Sequence, residues 1–197
     1  MTDTTDRFEK TPSLIPIRQE VIHNLTQAAD SQSKSPMRQA SVATIGYDGS
    51  PQVRIMIVRA FEPETMALTV FTDARSPKVT GLNADARMQL MMYDPGTRTQ
   101  IRISGQAELH HGDDLTEKLW KGLPEYGRGD YLSRQPPGEQ IAHPGDSWED
   151  TTLGNQNFMV LRIAIQEIDW LKLSAQGHRR ALLTWDNGEY SARWLTP

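Results

Sequence analysis

Seven consecutive residues, Thr72-Asp73-Ala74-Arg75-Ser76-Pro77-Lys78, bring together the groups that a bound phosphate needs. Ser76 is a favoured helix N-cap, and Pro77 at the first helical position gives up an N–H that has no partner inside a helix. Lys78 follows, so free backbone amides, the positive helix end and an ammonium converge on one point. Arg54, on the preceding apolar run, adds a guanidinium whose fork of donors suits phosphate oxygens. The same residues also fit an ordinary capped surface helix with two solvated cations, since such caps are common. The rest of the chain has to decide between the two.

Other chemistry-bearing residues are scattered. Gln100 and Arg102 share the polar side of an alternating strand, which suits either a wet surface or the wall of a polar cleft. His110 and His111 are strand neighbours, so they point to opposite faces and are poorly placed to share a metal. Cysteine is absent, which excludes thiolate catalysis, disulfides and Cys-based zinc sites together.

The elements that must hold these residues follow from periodicity. Ser13 to Asp30 has apolar residues at helical spacing (Leu14, Ile17, Val21, Ile22, Leu25, Ala28), predicting an amphipathic helix packed on the body. Strands are expected at Met37–Ile45, Gln52–Phe61 and Met66–Thr72, the first two joined through Asp48-Gly49. A short helix follows over about 77–84, then strands at Arg87–Tyr93 and Thr99–His110 and a helix at Asp113–Gly122. Residues 124–157 are rich in Gly, Pro and polar side chains, predicting a long functional or mobile loop with Trp148 as an anchor candidate. Phe158–Leu173 reads as a long strand buried on both faces. Ala181–Trp185 and Glu189–Leu195 flank Asp186-Asn187-Gly188, a closing hairpin. Seven or eight strands with few helices favour a closed barrel: residues 1–36 form a tail and helix, and 37–197 the barrel proper.

The 197 residues carry a net charge of −4, with 37% hydrophobic and 23% charged side chains, the balance of one soluble globular domain. A net acidic chain does not attract nucleic acid, and a basic cleft built from Arg54, Arg59, Arg98 and Arg102 lacks the interleaved aromatics of an RNA site. No window reaches the roughly 20 apolar residues of a spanning helix, and no apolar signal core opens the chain, so a cytoplasmic protein is expected.

Four blocks in order, RIMIVR, VFTDARSPK, TQIRISG and DWLKLSAQGHRR, resemble the pyridoxamine 5′-phosphate oxidase family of FMN-binding split barrels. The resemblance runs from about Met37 to the C-terminus. It implies a mainly β fold, a six-stranded antiparallel split barrel with peripheral helices, working as a homodimer with FMN at the subunit interface. By this resemblance Arg54, Ser76 and Lys78 hold the flavin phosphate, with Pro77 in the same loop. Ile55, Met56, Ile57 and Val58 line the ring edge with their backbone. Phe71 and Thr72 match the aromatic-Thr pair before the phosphate loop, and Gln100 the glutamine near the ring. Gln135 matches a glutamine that reaches FMN across the dimer. Trp170 and Arg180 match the family's Trp and Arg near FMN, with Leu171 as a rival for the Trp position.

Departures fall on the substrate side. The oxidases read Ser-Arg-Lys in the phosphate loop, and Pro77 replaces that arginine here. Arg59 stands where they carry a phosphate-binding lysine, and Gly122–Tyr126 replaces a segment that supplies Arg and Ser. A substrate-facing arginine is missing near Gln176, although His178 stands where the family has a histidine. The resemblance therefore implies an FMN-dependent oxidoreductase acting on an undetermined small molecule. Arg59 and His178 are the substrate-side candidates, although His178 also fits a solvated hairpin. A non-catalytic flavin carrier or sensor on the same barrel is the alternative.

Overall fold

The computed structural model describes residues 13–147, 150–186 and 189–197. The 1–12 segment, the expected anchor Trp148 and the Asn187-Gly188 turn lie outside them. Eight strands are described: β1 (Gln39–Ile45), β2 (Pro51–Glu62), β3 (Ala67–Asp73), β4 (Arg87–Asp94), β5 (Thr99–His110), β6 (Phe158–Lys172), β7 (Arg179–Asp186) and β8 (Glu189–Leu195). All pair antiparallel, in the order β3-β2-β1-β4-β5-β6-β7-β8. A second ladder, from Ala67↔Ala164 to Asp73↔Phe158, joins β3 to β6. That ladder closes β1 to β6 into a six-stranded barrel, and β7–β8 extends it as a hairpin beyond β6. Closure removes two open sheet edges that would otherwise expose unpaired backbone.

The long β6 explains itself by its partners. It pairs with β5 along most of its length on one edge and with β3 and then β7 on the other, so both edges are satisfied, and Phe158, Val160, Leu161, Ile163 and Ile168 are fully buried. Gly105 sits at a register shift between β5 and β6, where a Cβ would lie 2.3 Å from the Ala164 carbonyl oxygen. Only a glycine lets the two backbones approach this closely.

The first helix, α1 (Ile15–Ala29), sends Ile17, Val21, Leu25 and Ala28 into the same core as the barrel residues Val42, Val58, Leu90 and Ile103. The expected first strand begins two residues late. Pro36–Arg38 forms a 3₁₀ turn that drops Met37 into the core, while Arg38 donates to the Ala28 and Ala29 carbonyls at the end of α1. Met66, expected in the third strand, takes a positive φ of 48° and closes the preceding turn instead. Three further helices lie outside the barrel: α2 (Pro77–Ala84), α3 (Asp114–Gly122) and α4 (Glu125–Arg128). Asp113 and Thr116 build a reciprocal cap at the start of α3. The expected long loop is partly structured, since α4 and three 3₁₀ turns interrupt it.

The barrel is split on one side, and the split positions the site. β2 pairs with β3 only from Val58↔Val70 onward, whereas residues 51–57 pair with β1 alone. Over 54–57 the side of β2 that would face β3 is left without a ladder. The end of β3 turns the other way, to β6, and feeds directly into α2.

Candidate functional site

Arg54 and Lys78 meet across this split. The Arg54 guanidinium Nη1 donates to the Thr44 hydroxyl (2.7 Å) and to the Gln52 carbonyl (3.2 Å). Lys78 Nζ donates to the Thr72 hydroxyl (2.9 Å) and the Ser76 hydroxyl (2.6 Å). Burial lowers the pKa of both groups, and for Lys78 the charge of Arg54 lowers it further, opposed only by Asp73. Among the described residues neither cation forms an ion pair with a carboxylate. Two half-desolvated cations that repel each other and keep donors free form the electrostatic signature of an anion site.

Ser76 is the N-cap of α2 in position, and Pro77 occupies the first turn, as the sequence predicts. The Ser76 side chain does something else, because it accepts the Lys78 ammonium rather than a backbone N–H of the first turn. The helix is seated by Gly81, whose Cα lies so close to β1 that a Cβ would come within 2.4 Å of the Ile45 carbonyl oxygen.

A cavity of about 210 Å³ opens beside the cations, lined by Arg54, Ile55, Met56, Ile57, Arg59, Phe71, Thr72, Lys78, Asp130 and Tyr131. Its floor includes the unladdered edge of β2, where strand N–H and C=O groups are free to meet a ligand. Arg59 stands over the Phe71 ring at 5.4 Å and beside the Tyr131 hydroxyl, with its Nε buried and unpartnered among the described residues. Burial pushes the Tyr131 hydroxyl up to about 12, so it stays protonated at any physiological pH. Phe158 packs edge-on against both Phe71 (4.9 Å) and Tyr131 (5.0 Å) and fixes these two walls of the cavity.

The other expected residues form a second group. Gln100 lies opposite Tyr93 on β4 and Leu171 on β6, and Leu171 lies opposite Arg180 on β7. Arg180 and Arg102 share the buried Asp169: Arg180 donates through Nε (2.9 Å) and Nη2 (2.6 Å), and Arg102 through Nη2 (2.7 Å). Burial pushes the Asp169 carboxyl up, but the Arg180 hydrogen bonds and the two positive charges outweigh it and hold the group below its ordinary value.

Trp170 does not join this group. It pairs with Ile101 and Ala181 on the inward face, is 1% exposed, and its indole N–H lacks a partner among the described residues. Leu171, the rival position, lies between Gln100 and Arg180 on the other face. The parity of β6 decides this, since residues ten apart across a hairpin need not share a side. His178 is exposed in the β6–β7 turn, where its Nδ1 accepts from the Ser174 N–H (3.1 Å).

The two groups are separated within one chain. On the sheet, β1, β4 and β5 are crossed in turn from Ile57 to Gln100, about 14 Å at the usual strand spacing. Gln135 lies on neither strand system: it follows Tyr131 in a loop whose Ser133 and Arg134 carbonyls are held by Arg75, and its Oε1 is buried without a partner. Thr44 and Tyr131 are not expected at the site from the sequence, and Asp73 and Arg75 enter there only as members of the phosphate-loop stretch, with no role of their own. Only the Asp73-x-Arg75 spacing hints at an ion pair in the sequence, whereas Thr44 and Tyr131 arrive through sheet register and loop packing.

Comparison with known proteins bears directly on these features. Residues 18–111, which carry Arg54, the split edge and Lys78, match the model of the family described as pyridoxamine 5′-phosphate oxidase, FMN-binding domain. Over this stretch, just under half of the chain, the sequence is similar to that family. The cofactor of that domain is FMN, as the sequence blocks imply. A pyridoxine/pyridoxamine 5′-phosphate oxidase of Roseobacter denitrificans is 27% identical over 89 residues, 45% of this chain and 43% of the relative. The pyridoxine/pyridoxamine 5′-phosphate oxidase 2 of Arabidopsis thaliana is 34% identical over 68 residues, 34% of each chain. The chain thus spans half or less of the length of these curated relatives.

Solved structures extend the likeness to the whole barrel. A pyridoxamine 5′-phosphate oxidase-related, FMN-binding protein of Nostoc punctiforme superposes with a TM-score of 0.76 at 25% identity, covering 94% of this chain and all of that one. PhzG of Burkholderia lata, solved with tetrahydrophenazine-1-carboxylic acid, gives a TM-score of 0.72 at 20% identity over 94% of both chains, a likeness of fold. Among the described residues no helix is long and apolar enough to cross a membrane.

Proposed function

We propose that this chain is an FMN-dependent oxidoreductase, working as a homodimer on a small molecule. The observation that carries the reading is the Arg54–Lys78 pair, two partly desolvated cations without a carboxylate partner among the described residues, beside a strand edge without a ladder. In this reading the cations and the Thr72 and Ser76 hydroxyls bind the flavin phosphate, with Pro77 fixing the start of α2. The backbone of Ile55–Val58 seats the ring edge and Phe71 closes one wall. Gln100, Leu171 and Arg180 come from the second subunit, because within one chain they stand three strands away. Trp170 then supports this group from the core. Gln135, with its unpartnered buried oxygen, has the polar atom to spare for the flavin.

FMN held by Arg54, Lys78, Thr72 and Ser76 would supply hydride acceptance from the substrate and electron transfer to oxygen or another acceptor. The chain's own part is binding, orientation and exclusion of water. Arg59, with a buried unpartnered Nε, and the protonated Tyr131 hydroxyl offer donors on the substrate side. His178, exposed in its turn, reaches a substrate only across the dimer in this reading.

A flavin carrier or sensor is the second reading. It is favoured by the segment Gly122–Tyr126, where no cation faces the cavity and Tyr126 is 89% exposed. Purified protein should be yellow and release FMN on denaturation. Anaerobic, FMN-loaded protein challenged with pyridoxamine phosphate, pyridoxine phosphate and reduced nicotinamides should bleach with at least one of them. Tight FMN without bleaching by any of the three would favour the carrier, and no flavin at all would overturn both readings.

A further inference from the structure

Arg75 belongs to none of the functions assigned above, yet among the described residues of the phosphate loop its side chain is the most extensively hydrogen-bonded. Its Nε and Nη2 donate to the two carboxylate oxygens of Asp73 (3.0 and 2.7 Å). Its Nη1 and Nη2 also donate to the carbonyls of Arg134 and Ser133, both at 2.9 Å. One guanidinium therefore ties the phosphate loop to the 131–135 segment, almost sixty positions away in sequence.

Asp73 makes the tie necessary. It is 5% exposed and lies near enough to Lys78 for its charge to act on the ammonium. An unpaired carboxylate there would capture Lys78 and repel any phosphate. Arg75 neutralises it with two charge-assisted hydrogen bonds, the strong kind. The segment that Arg75 grips supplies Tyr131 to the cavity wall and carries Gln135. It is held from the other side by Asn157, whose Nδ2 donates to the Tyr131 carbonyl (3.0 Å), while Ala74 N–H donates to the Asn157 carbonyl (2.8 Å). Loop and site wall are thus latched at both ends of one short stretch.

We propose that Arg75 is a positioning residue with two separable effects: it silences Asp73 so that Lys78 stays available to an anion, and it latches the Tyr131–Gln135 segment against the phosphate loop. The proposal rests on the reading of Lys78 as a phosphate ligand for its first effect only. The latch stands on geometry alone.

Arg75→Gln and Arg75→Lys separate the two. The readouts are the FMN dissociation constant of the full chain and the rate of tryptic cleavage at the Arg134–Gln135 bond, whose carbonyl Arg75 holds. Removing both effects, Arg75→Gln should weaken FMN by about tenfold or more, the scale of one lost charged hydrogen bond, and speed cleavage at this bond by a similar factor. Arg75→Lys keeps a charge for Asp73 but lacks the fork that reaches both carbonyls. It should hold FMN within about threefold of the original chain, since the charge pair survives, yet be cleaved as fast as Arg75→Gln. Asp73→Asn added to Arg75→Gln should recover FMN affinity and leave cleavage fast. Cleavage unchanged in both single variants overturns the latch. Equal loss of FMN in both, with no recovery in the double variant, overturns the charge effect. If the unaltered chain binds no flavin, the FMN reading fails, while the cleavage comparison still decides the latch. Should Arg75→Gln not fold, Arg75→Lys alone decides the latch through cleavage, and the charge effect through FMN retention.

Discussion

Arg54 and Lys78 are close enough for the charge of one to depress the other, which costs free energy until an anion fills the space between them. Replacing either by Ala should therefore weaken FMN by about ten- to a hundredfold, the range for a hydrogen bond between charged groups, read by fluorescence titration. Lys78 adds a pH dependence whose sign is set by its lowered pKa. In the ligand-free fold the charged ammonium is disfavoured, so stability recovers as pH rises from the depressed folded value toward the ordinary 10.5. FMN binding prefers the charged form and must weaken over the same rise. Above pH 7 the flavin phosphate is almost fully ionised, and its remaining titration would strengthen binding, so the phosphate does not cause the decline. Affinity measured from pH 7 to 10 should fall earlier than an ordinary lysine would allow, and Lys78→Arg should flatten the curve. Tyr131 carries the opposite sign. Its raised value means that the fold loses stability as pH climbs from the ordinary 10 toward about 12. Tyr131→Phe should remove that part of the alkaline decline in thermal melts.

The helix that carries Lys78 is placed by a contact that no motif announces. Gly81 allows α2 to touch β1, and Gly81→Ala would put a methyl 2.4 Å from the Ile45 carbonyl oxygen. The helix must then shift, costing about 1–3 kcal/mol as overpacking does, and carry Ser76 and Lys78 off the Arg54 axis. A lower melting temperature together with weaker FMN is expected, whereas Gly96→Ala in an exposed turn should move neither. Alternation and turn residues make most strands readable in the sequence, β5 above all, because a strand with one buried face leaves a period of two, whereas β6, buried on both, shows as a long apolar run. The ladder between β3 and β6 was not readable from alternation. It joins segments nearly a hundred residues apart, and no local pattern records such pairing. The same limit explains Trp170. Its spacing from Arg180 matches the family pattern, but only the register of β6 against β7 shows that it faces the core and that Leu171 faces outward. The late start of β1 is local again, since Pro36 tightens the chain into a 3₁₀ turn before the strand can begin.

In the proposed reading each chain supplies two half sites, and an exposed apolar face lies between them. Val53, Ile55, Met91 and Tyr93 are 69%, 59%, 39% and 40% exposed, on the outer side of β2 and β4. Ile55 and Met91 both pair with Ser41, so they occupy one row across three strands. Apolar side chains grouped in this way are what a subunit interface covers. The same face separates the Arg54–Lys78 pair from Gln100, Leu171 and Arg180. A two-fold related copy laid on it would bring each half site to its complement, since a two-fold contact uses the same patch on both partners. Dimerisation and flavin binding should then be linked, each strengthening the other as mass action requires. Val53→Glu together with Met91→Glu places buried charges in that face without touching the phosphate ligands. Sedimentation should show a monomer, and FMN affinity should fall even though Arg54 and Lys78 are intact. Added FMN should drive the unaltered chain further toward the dimer at low protein concentration. A monomeric double variant that keeps full FMN affinity would mean that one chain builds the whole site, and Gln100, Leu171 and Arg180 would lose their assigned role.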